Sequence, residues 1–369
     1  MICRMLALLA LGLVSLASPV AAHGPNQPPH QLWRMGDLPL EGGGVIRDFA
    51  MSYVTHGTLN AAKSNAILMV TAVGGNHHRL DFLIGPGKAL DTDRYFVVAT
   101  DAIGNRLTSS PSNSALQPRM RFPRFGMRDM VASQHRLLTE HLGIGHVVAV
   151  VGPSMGGMQA LQWGVSHPGF MDALVAMVPL ARTPAWTVAV LEASRKAIML
   201  DPAWNEGNYT APPERGIRLW RDMVSFLAAR SPEMYRDQFA ADPMAVLPWL
   251  TAQETSLIGA FDANDWLYQS WAYERHDVGA TPGMGGDLAK ALGTIRAPTL
   301  ILLGTKDLLN PEYEPQEAAR AIPGARVVTI SPGSVTGHAS AGGGNPADVA
   351  FLDRETAAFL NDVVRVGAR

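Results

Sequence analysis

The chain has 369 residues, of which 47% are hydrophobic and 17% charged, and its formal net charge is −2 at pH 7. This balance supports a large buried core and excludes the strongly basic surface typical of nucleic-acid-binding proteins. Cys3 is the one cysteine, so the rest of the chain can form neither a disulfide nor a thiolate metal site.

The N-terminal stretch has the features of a secretory signal peptide. Arg4 precedes an apolar run over residues 5–16, and small residues follow up to Ala22. The alternative is an uncleaved anchor, for which this run is short. We therefore predict cleavage after Ala22, so that residues 1–22 are removed, and a periplasmic or secreted protein without stable membrane insertion. Residues 23–44, which begin polar and proline-rich, are predicted to form a loose N-terminal arm.

Apolar segments rich in β-forming residues alternate with helical patterns along the rest of the chain. Segments that are apolar on both faces are typical of parallel strands covered by helices. Helical patterns with an apolar face lie at 127–144 and 346–364. The alternation predicts a doubly wound, mostly parallel α/β sheet. The predicted strands cover residues 66–73, 95–104, 146–152, 173–180, 298–307 and 325–333.

The strand pattern is interrupted by a helical region between residues 182 and 292, which holds six of the eight tryptophans. A helical insertion between two strands is well placed to form a lid over the sheet edge where active sites lie. Alternatively, its aromatic residues only build a small core of their own. We predict an α/β core from 45–181 and 293–369, with a helical lid at 182–292.

The segment VVGPSMGGMQ contains the pattern G-x-S-x-G, formed by Gly152, Ser154 and Gly156. A buried strand precedes it and a helical pattern follows, which is the context of a nucleophile elbow. Such a sharp turn needs small neighbours and holds the serine in a strained conformation. We predict that Ser154 is a nucleophile, not a simple turn residue. The Met155 amide, at the start of the helix, is a predicted oxyanion-hole donor.

A serine hydroxyl needs a base and an orienting acid to become a nucleophile. Asp307 ends a late strand and His338 lies in a glycine-rich loop after the next one, in the Ser, Asp, His order of α/β-hydrolase triads. The alternatives are a turn or cap role for Asp307 and a solvated loop position for His338. The second oxyanion donor is expected from residues 71–78, where we choose the Val73 amide.

Two adjacent histidines, His77 and His78, raise the question of a metal. Side chains of adjacent residues diverge, and no further ligand stands nearby at suitable spacing. We therefore predict no metal site and no cofactor.

Several ordered stretches resemble the homoserine O-acetyltransferase family of α/β-hydrolase-fold enzymes. The resemblance implies a triad on Ser154, Asp307 and His338, and a helical lid in an often dimeric protein. It also implies a substrate-carboxylate arginine, matched by Arg230 of AARSPE, although Ala229 stands where the family has tyrosine; a solvated Arg230 is the alternative. The matching stretches are LIGPGKALDTDRYFVV, RDMVASQ, GPSMGGMQALQW, HDVG and IRAPTLIL.

The chain also departs from this family. Family members carry an aspartate directly after the catalytic histidine, and this aspartate receives the amino group of homoserine. This chain has Ala339 at that position. A buried ammonium would then lack its partner, which is costly. Thr71 and Gly74 depart from the family's usual loop after the third strand.

These departures favour an exported serine hydrolase that acts on a small ester or related acyl substrate. One alternative is homoserine O-acetylation from acetyl-coenzyme A, a donor that export would place out of reach. Another is a noncatalytic ligand-binding protein that keeps the fold. No nucleic-acid partner is expected.

Overall fold

The computed structural model describes residues 27–255, 258–259 and 261–367, so the predicted signal peptide and the first residues of the predicted arm lie outside it. Eight strands are found in the described part of the chain. They are β1 (Gln31–Pro39), β2 (Val45–His56), β3 (Ala66–Val70), β4 (Phe96–Thr100), β5 (Val147–Pro153), β6 (Met171–Met177), β7 (Thr299–Leu303) and β8 (Arg326–Thr329).

All eight strands form one sheet in the order β1-β2-β4-β3-β5-β6-β7-β8. The six strands from β3 to β8 are parallel, and β1 and β2 add an antiparallel edge. The carboxyl ends of the parallel strands therefore meet at one edge, where residues from distant parts of the sequence converge.

The α-helices connect the parallel strands and occupy the region in which the strand pattern is interrupted. No helix among the described residues has the length and apolar character needed to cross a bilayer. The helices are α1 (Met127–Arg136), α2 (Met155–Ser166), α3 (Ala185–Met199), α4 (Glu214–Arg221), α5 (Pro232–Gln238), α6 (Val246–Thr255), α7 (Ala263–Glu274), α8 (Leu288–Gly293), α9 (Tyr313–Ala321) and α10 (Pro346–Gly367).

The central strands β3, β5 and β7 are buried along their whole length. Along β3, Leu68 and Val70 join the hydrophobic cluster that includes α1 and α2, whereas Ile67 and Met69 join the cluster that includes α10. Successive side chains of a strand point to opposite faces, so a strand covered on both sides is apolar throughout. The predicted doubly wound, mostly parallel α/β sheet is confirmed.

Six helices, α3 to α8, lie between β6 and β7 in the described chain, and all but the last residue of α8, Gly293, fall in the region predicted to be a helical insertion. Trp220 stacks on Phe261 and contacts Trp266, so part of this segment has an aromatic core of its own. We call residues 182–292 the helical insertion.

Two local expectations were wrong. The arm predicted over residues 23–44 is not loose throughout, because β1 pairs with β2 from Gln31 to Pro39 as an edge strand. Polar and charged residues interrupt both strands, so the sequence does not show the alternation of apolar and polar residues that is typical of a strand. The helix expected over 127–144 is α-helical only to Arg136 and continues as a π-helical turn, Leu137–His141.

Candidate active site

Ser154 lies at the turn between β5 and α2, at the carboxyl edge of the sheet. Its φ of 56° and ψ of −119° lie in a region that residues other than glycine rarely adopt. The Ser154 N–H donates a hydrogen bond to the Met177 carbonyl at 2.8 Å, which ties the turn to β6. The residue is only 4% exposed. The neighbouring sheet therefore holds this strained turn in place.

The glycines around Ser154 are required by close backbone packing. A Cβ on Gly156 would lie 2.5 Å from the Val70 carbonyl oxygen, and one on Gly157 would lie 2.8 Å from the Met177 oxygen. A Cβ on Gly152 would lie 2.5 Å from the backbone of Gly156. Real side chains do not approach backbone atoms this closely, so the turn needs glycine at all three positions.

The structure brings Ser154, His338 and Asp307 into one hydrogen-bonded chain. His338 Nε2 lies 2.7 Å from Ser154 Oγ, and His338 Nδ1 lies 2.6 Å from Asp307 Oδ2. Because Asp307 as a carboxylate accepts, His338 donates from Nδ1 and presents a lone pair at Nε2 to the serine hydroxyl. This arrangement can accept a proton from Ser154.

Asp307 is held by its own turn. Its Oδ1 accepts hydrogen bonds from the backbone N–H groups of Leu309 and Asn310, at 2.8 and 2.7 Å. These bonds leave Oδ2 directed at the histidine. Asp307 and His338 are 3% and 9% exposed, so the chain from Ser154 to Asp307 is shielded from solvent.

The loop after β3, residues 71–78, lies against the elbow. The side-chain amide of Gln159, on α2, donates to the Thr71 carbonyl, and Gln269 of the helical insertion accepts from the Gly74 N–H at 2.8 Å. In the described chain neither the Met155 nor the Val73 amide has a hydrogen-bond acceptor.

His77 belongs to the same loop, and its side chain pairs with a carboxylate. Its backbone N–H donates to Asp101 Oδ1, and its Nδ1 lies 2.6 Å from Asp101 Oδ2, with both side chains fully buried. No group of three or more potential metal-binding side chains is found among the described residues. This pair fixes the loop to the end of β4.

Residues 65–338 match the family described as alpha/beta hydrolase fold. A homoserine O-acetyltransferase from Leptospira biflexa serovar Patoc is 35% identical over 320 residues, which cover 79% of this chain and 83% of that protein. The chain belongs to the homoserine O-acetyltransferase family of α/β-hydrolase-fold proteins.

Two solved structures of esterases also resemble this family member. An acetylester hydrolase from Corynebacterium glutamicum superposes with a TM-score of 0.84 at 29% identity, over 90% of this chain and 96% of that one. The acetyl esterase MekB gives 0.83 at 31% identity, over 91% and 98%. The chain is therefore similar both to a protein described as a transferase and to structures described as esterases.

Arg230 lies beside the loop that carries His338, which we call the histidine loop. A Cβ on Gly337 would come within 3.2 Å of the Arg230 backbone carbon. The guanidinium contacts the rings of Phe226 and Trp249, at 5.4 and 5.8 Å from the ring centres, and its buried Nε has no hydrogen-bond partner among the described residues. Burial lowers the pKa of Arg230. The cation is thus partly desolvated and forms no ion pair with a described carboxylate.

Sequence reasoning missed the polar residues that the helical insertion contributes. Tyr273 and Gln269, both on α7, are 1% exposed, and each contacts a loop of the site. On one helix, a buried tyrosine and a buried glutamine follow the same pattern as ordinary core residues. No local signal distinguishes them, because their partners lie far away in the sequence.

Proposed function

We propose that this protein transfers acyl groups through a covalent intermediate on Ser154, and that its overall reaction is the hydrolysis of a small ester or related acyl substrate. The observation that carries the proposal is the buried hydrogen-bond chain from Ser154 Oγ through His338 to Asp307. Nucleophile, base and orienting acid stand in the relation that acyl transfer by serine requires.

The proposed reaction has two halves. In the first, His338 Nε2 takes the Ser154 proton while Oγ attacks the acyl carbonyl, and the same histidine then protonates the leaving alcohol. In the second, His338 activates a water that attacks the acyl-serine. Asp307 keeps the ring oriented and stabilises its positive charge. The Met155 and Val73 amides are proposed to bind the oxyanion in both halves.

Hydrolysis is favoured over transfer to homoserine by the residue that follows the histidine. Ala339 offers no carboxylate to the ammonium group of homoserine, and leaving an ammonium unpaired in a buried site is costly. The likeness to an acetylester hydrolase and an acetyl esterase supports the same conclusion. Water, the acyl acceptor in hydrolysis, carries no charge and needs no carboxylate partner.

The second candidate is homoserine O-acetylation with acetyl-coenzyme A as donor. It is favoured by the 35% identity to the Leptospira homoserine O-acetyltransferase. Both candidates share the acyl-serine and differ only in the donor and in the acceptor of the acyl group.

We further propose that Arg230 binds an anionic group of the substrate. Its guanidinium is partly buried, lies beside the histidine loop and forms no ion pair with a described carboxylate. A cation desolvated without a counter-ion gains most from an anionic ligand.

Export remains part of the proposal. It is supported by the signal-peptide pattern at the N-terminus, in which Arg4 is followed by the apolar run over residues 5–16 and by small residues up to Ala22. N-terminal sequencing of the protein from its native host should begin at His23, and a sequence that begins at Met1 would contradict export.

A homodimer built through the helical insertion is also proposed. Leu200, Leu227 and Met244 are 80%, 62% and 65% exposed, and burying such side chains between two copies would remove their apolar surface from water. Sedimentation equilibrium should give twice the monomer mass, and the monomer mass alone would contradict the dimer.

The function is tested with a short-chain chromogenic acetyl ester, with and without homoserine, and with acetyl-coenzyme A as donor in parallel. We expect ester turnover that homoserine does not accelerate, no thiol release from acetyl-coenzyme A, and loss of turnover in Ser154→Ala. Formation of O-acetylhomoserine from acetyl-coenzyme A would favour the second candidate. Unchanged turnover in Ser154→Ala would contradict both.

A further inference from the structure

The turn that carries Asp307 is fastened from outside by the first helix of the helical insertion. We call residues 307–310 the acid turn. Near the start of α3, Trp186 Nε1 donates a hydrogen bond to the Leu308 carbonyl, and Thr187 Oγ1 donates to the Leu309 carbonyl at 2.7 Å. Two carbonyls of the acid turn are therefore held by adjacent side chains of the insertion.

Of these two contacts, the one made by Thr187 is shielded from water. Thr187 and Leu309 are both buried, whereas Trp186 is an exposed side chain. Among the described residues no backbone N–H donates to the Leu309 carbonyl, so the threonine hydroxyl is its donor. A buried carbonyl that loses its donor stays unsatisfied, whereas water can replace the donor of an exposed one. The position of Leu309 therefore depends on Thr187.

Leu309 also holds the carboxylate of Asp307. Its backbone N–H donates to Asp307 Oδ1 at 2.8 Å, beside the Asn310 N–H at 2.7 Å. The two amides occupy Oδ1, and Oδ2 lies 2.6 Å from His338 Nδ1. Leu309 thus accepts a hydrogen bond from the insertion at its carbonyl and donates one to the acid at its amide. A shift of Leu309 would rotate the carboxylate that orients the histidine.

Asn310 anchors the far end of the acid turn independently of Thr187. Asn310 Nδ2 donates to the Val178 carbonyl at 2.8 Å, and Asn310 Oδ1 accepts from the Tyr273 hydroxyl at 2.7 Å. Loss of the threonine hydrogen bond would therefore free Leu309 while the rest of the turn stays anchored. We expect a change in the direction of the carboxylate, without unfolding of the turn.

We propose that Thr187 is a positioning residue for Asp307, acting through Leu309. By holding the Leu309 carbonyl, the hydroxyl keeps the amide of the same residue on Oδ1 and so directs Oδ2 at His338. The inference rests on the acyl-serine reaction proposed above. Thr187 exchanges no proton with the substrate; it acts through the orientation of His338, on which proton transfer from Ser154 depends.

The test compares Thr187→Val with Thr299→Val in the full-length protein. Both substitutions remove a fully buried hydroxyl that donates to a backbone carbonyl, and Thr299 lies at the amino end of β7, away from the site. For Thr187→Val we expect kcat for a chromogenic acetyl ester to fall about tenfold with little change in KM, because a misdirected base slows the chemistry and not the binding. Thr299→Val should keep its kcat, and so should Thr187→Ser, which retains the hydroxyl. Equal losses in Thr187→Val and Thr187→Ser would overturn the proposal.

Proton NMR follows the orientation of the acid directly. The proton between His338 Nδ1 and Asp307 Oδ2 should resonate far downfield, as is typical of a short hydrogen bond to a charged acceptor. This resonance should move upfield in Thr187→Val and stay in place in Thr299→Val. A purely structural role would lower the free energy of unfolding in both variants and leave the resonance unchanged.

The outcomes separate this inference from the proposed function. If Ser154→Ala abolishes turnover while Thr187→Val has the same kcat as Thr299→Val, the role of Thr187 is wrong and the acyl-serine reaction stands. If Ser154→Ala keeps its turnover, the acyl-serine reaction itself is wrong. Should Thr187→Val fail to fold, Thr187→Cys, whose thiol is a weaker donor, must lower kcat; an unchanged kcat contradicts the role.

Discussion

The backbone N–H of Ala339 donates a hydrogen bond to the backbone carbonyl of Ala229, with 3.0 Å between nitrogen and oxygen. Ala339 follows His338, and Ala229 precedes Arg230, so this bond fastens the histidine loop to the helical insertion. Gly337 makes the approach feasible: its φ is +62°, and a Cβ there would lie 3.2 Å from the Arg230 backbone. Core and insertion therefore share one wall of the candidate site.

Arg230→Gln tests whether that wall binds an anion. For an acetyl ester whose alcohol carries a carboxylate, we expect KM to rise about tenfold or more, because the guanidinium forms no ion pair with a carboxylate in the described part of the chain. For an uncharged acetyl ester, KM should change little. Arg236→Gln is the matched control, since Arg236 has a side chain 70% exposed to solvent. Equal effects of Arg230→Gln on both esters would contradict an anion-binding role.

Ala339→Asp tests the reason for preferring hydrolysis. A carboxylate beside His338 would give the ammonium group of homoserine the partner that the natural chain lacks. We expect the ratio of acetyl transfer to homoserine over hydrolysis to rise about tenfold, measured from O-acetylhomoserine and acetate with one acetyl ester as donor. Ala339→Asn is the neutral control of similar shape. The explanation fails if the two variants give the same ratio.

Gly156→Ala tests the packing of the elbow. The new Cβ would lie 2.5 Å from the Val70 carbonyl oxygen, a backbone atom that cannot move without distorting β3. We expect the free energy of unfolding in urea to fall by about 2 kcal/mol or more, and ester turnover to be lost. Gly169→Ala is the control, because nothing lies within 4 Å of its Cβ position. A stable, active Gly156→Ala would show that the turn tolerates a side chain.

His276 gives the protein a predictable loss of stability in acid. Burial lowers its pKa from 6.5 to about 4, and the neutral ring donates from Nε2 to the Leu180 carbonyl. The unfolded chain therefore takes up a proton first as the pH falls. The stabilisation is complete above pH 6.5 and is lost between pH 6.5 and 4, in total about 3 kcal/mol.

Urea unfolding at pH 7 and pH 4 measures this effect. His276→Gln keeps a donor for Leu180 but cannot titrate, so its stability should fall by about 3 kcal/mol less than that of the wild type. His146→Gln is the control, because the His146 side chain is 44% exposed. Equal falls in the wild type and His276→Gln would show that His276 does not cause the acid sensitivity.

The sequence predicts the parallel sheet because its central strands are apolar on both faces, a pattern that hardly depends on what packs against it. It predicts Ser154, Asp307 and His338 as a set because G-x-S-x-G lies between a strand and a helix, and the acid and base follow in a fixed order. Hydrogen bonds of 2.6 and 2.7 Å join the three side chains, and their role in catalysis is proposed.

What the sequence does not predict depends on partners distant along the chain. β1 looks like a polar, proline-flanked arm until β2 is there to pair with it. Tyr273 has the pattern of a core tyrosine, and its contact with Asn310 spans 37 residues. The placement of Arg230 beside Gly337 likewise depends on how the helical insertion folds back over the core.

An acyl group carried on Ser154 can be detected by rapid quench of the protein with an acetyl ester, followed by mass spectrometry of its peptides. We expect an acetyl group on the peptide that contains Ser154, formed within the first turnover, absent from Ser154→Ala and removed as the ester is consumed. Steady ester turnover by the wild type with no acetylated Ser154 peptide at any quench time, together with undiminished turnover by Ser154→Ala, would contradict it.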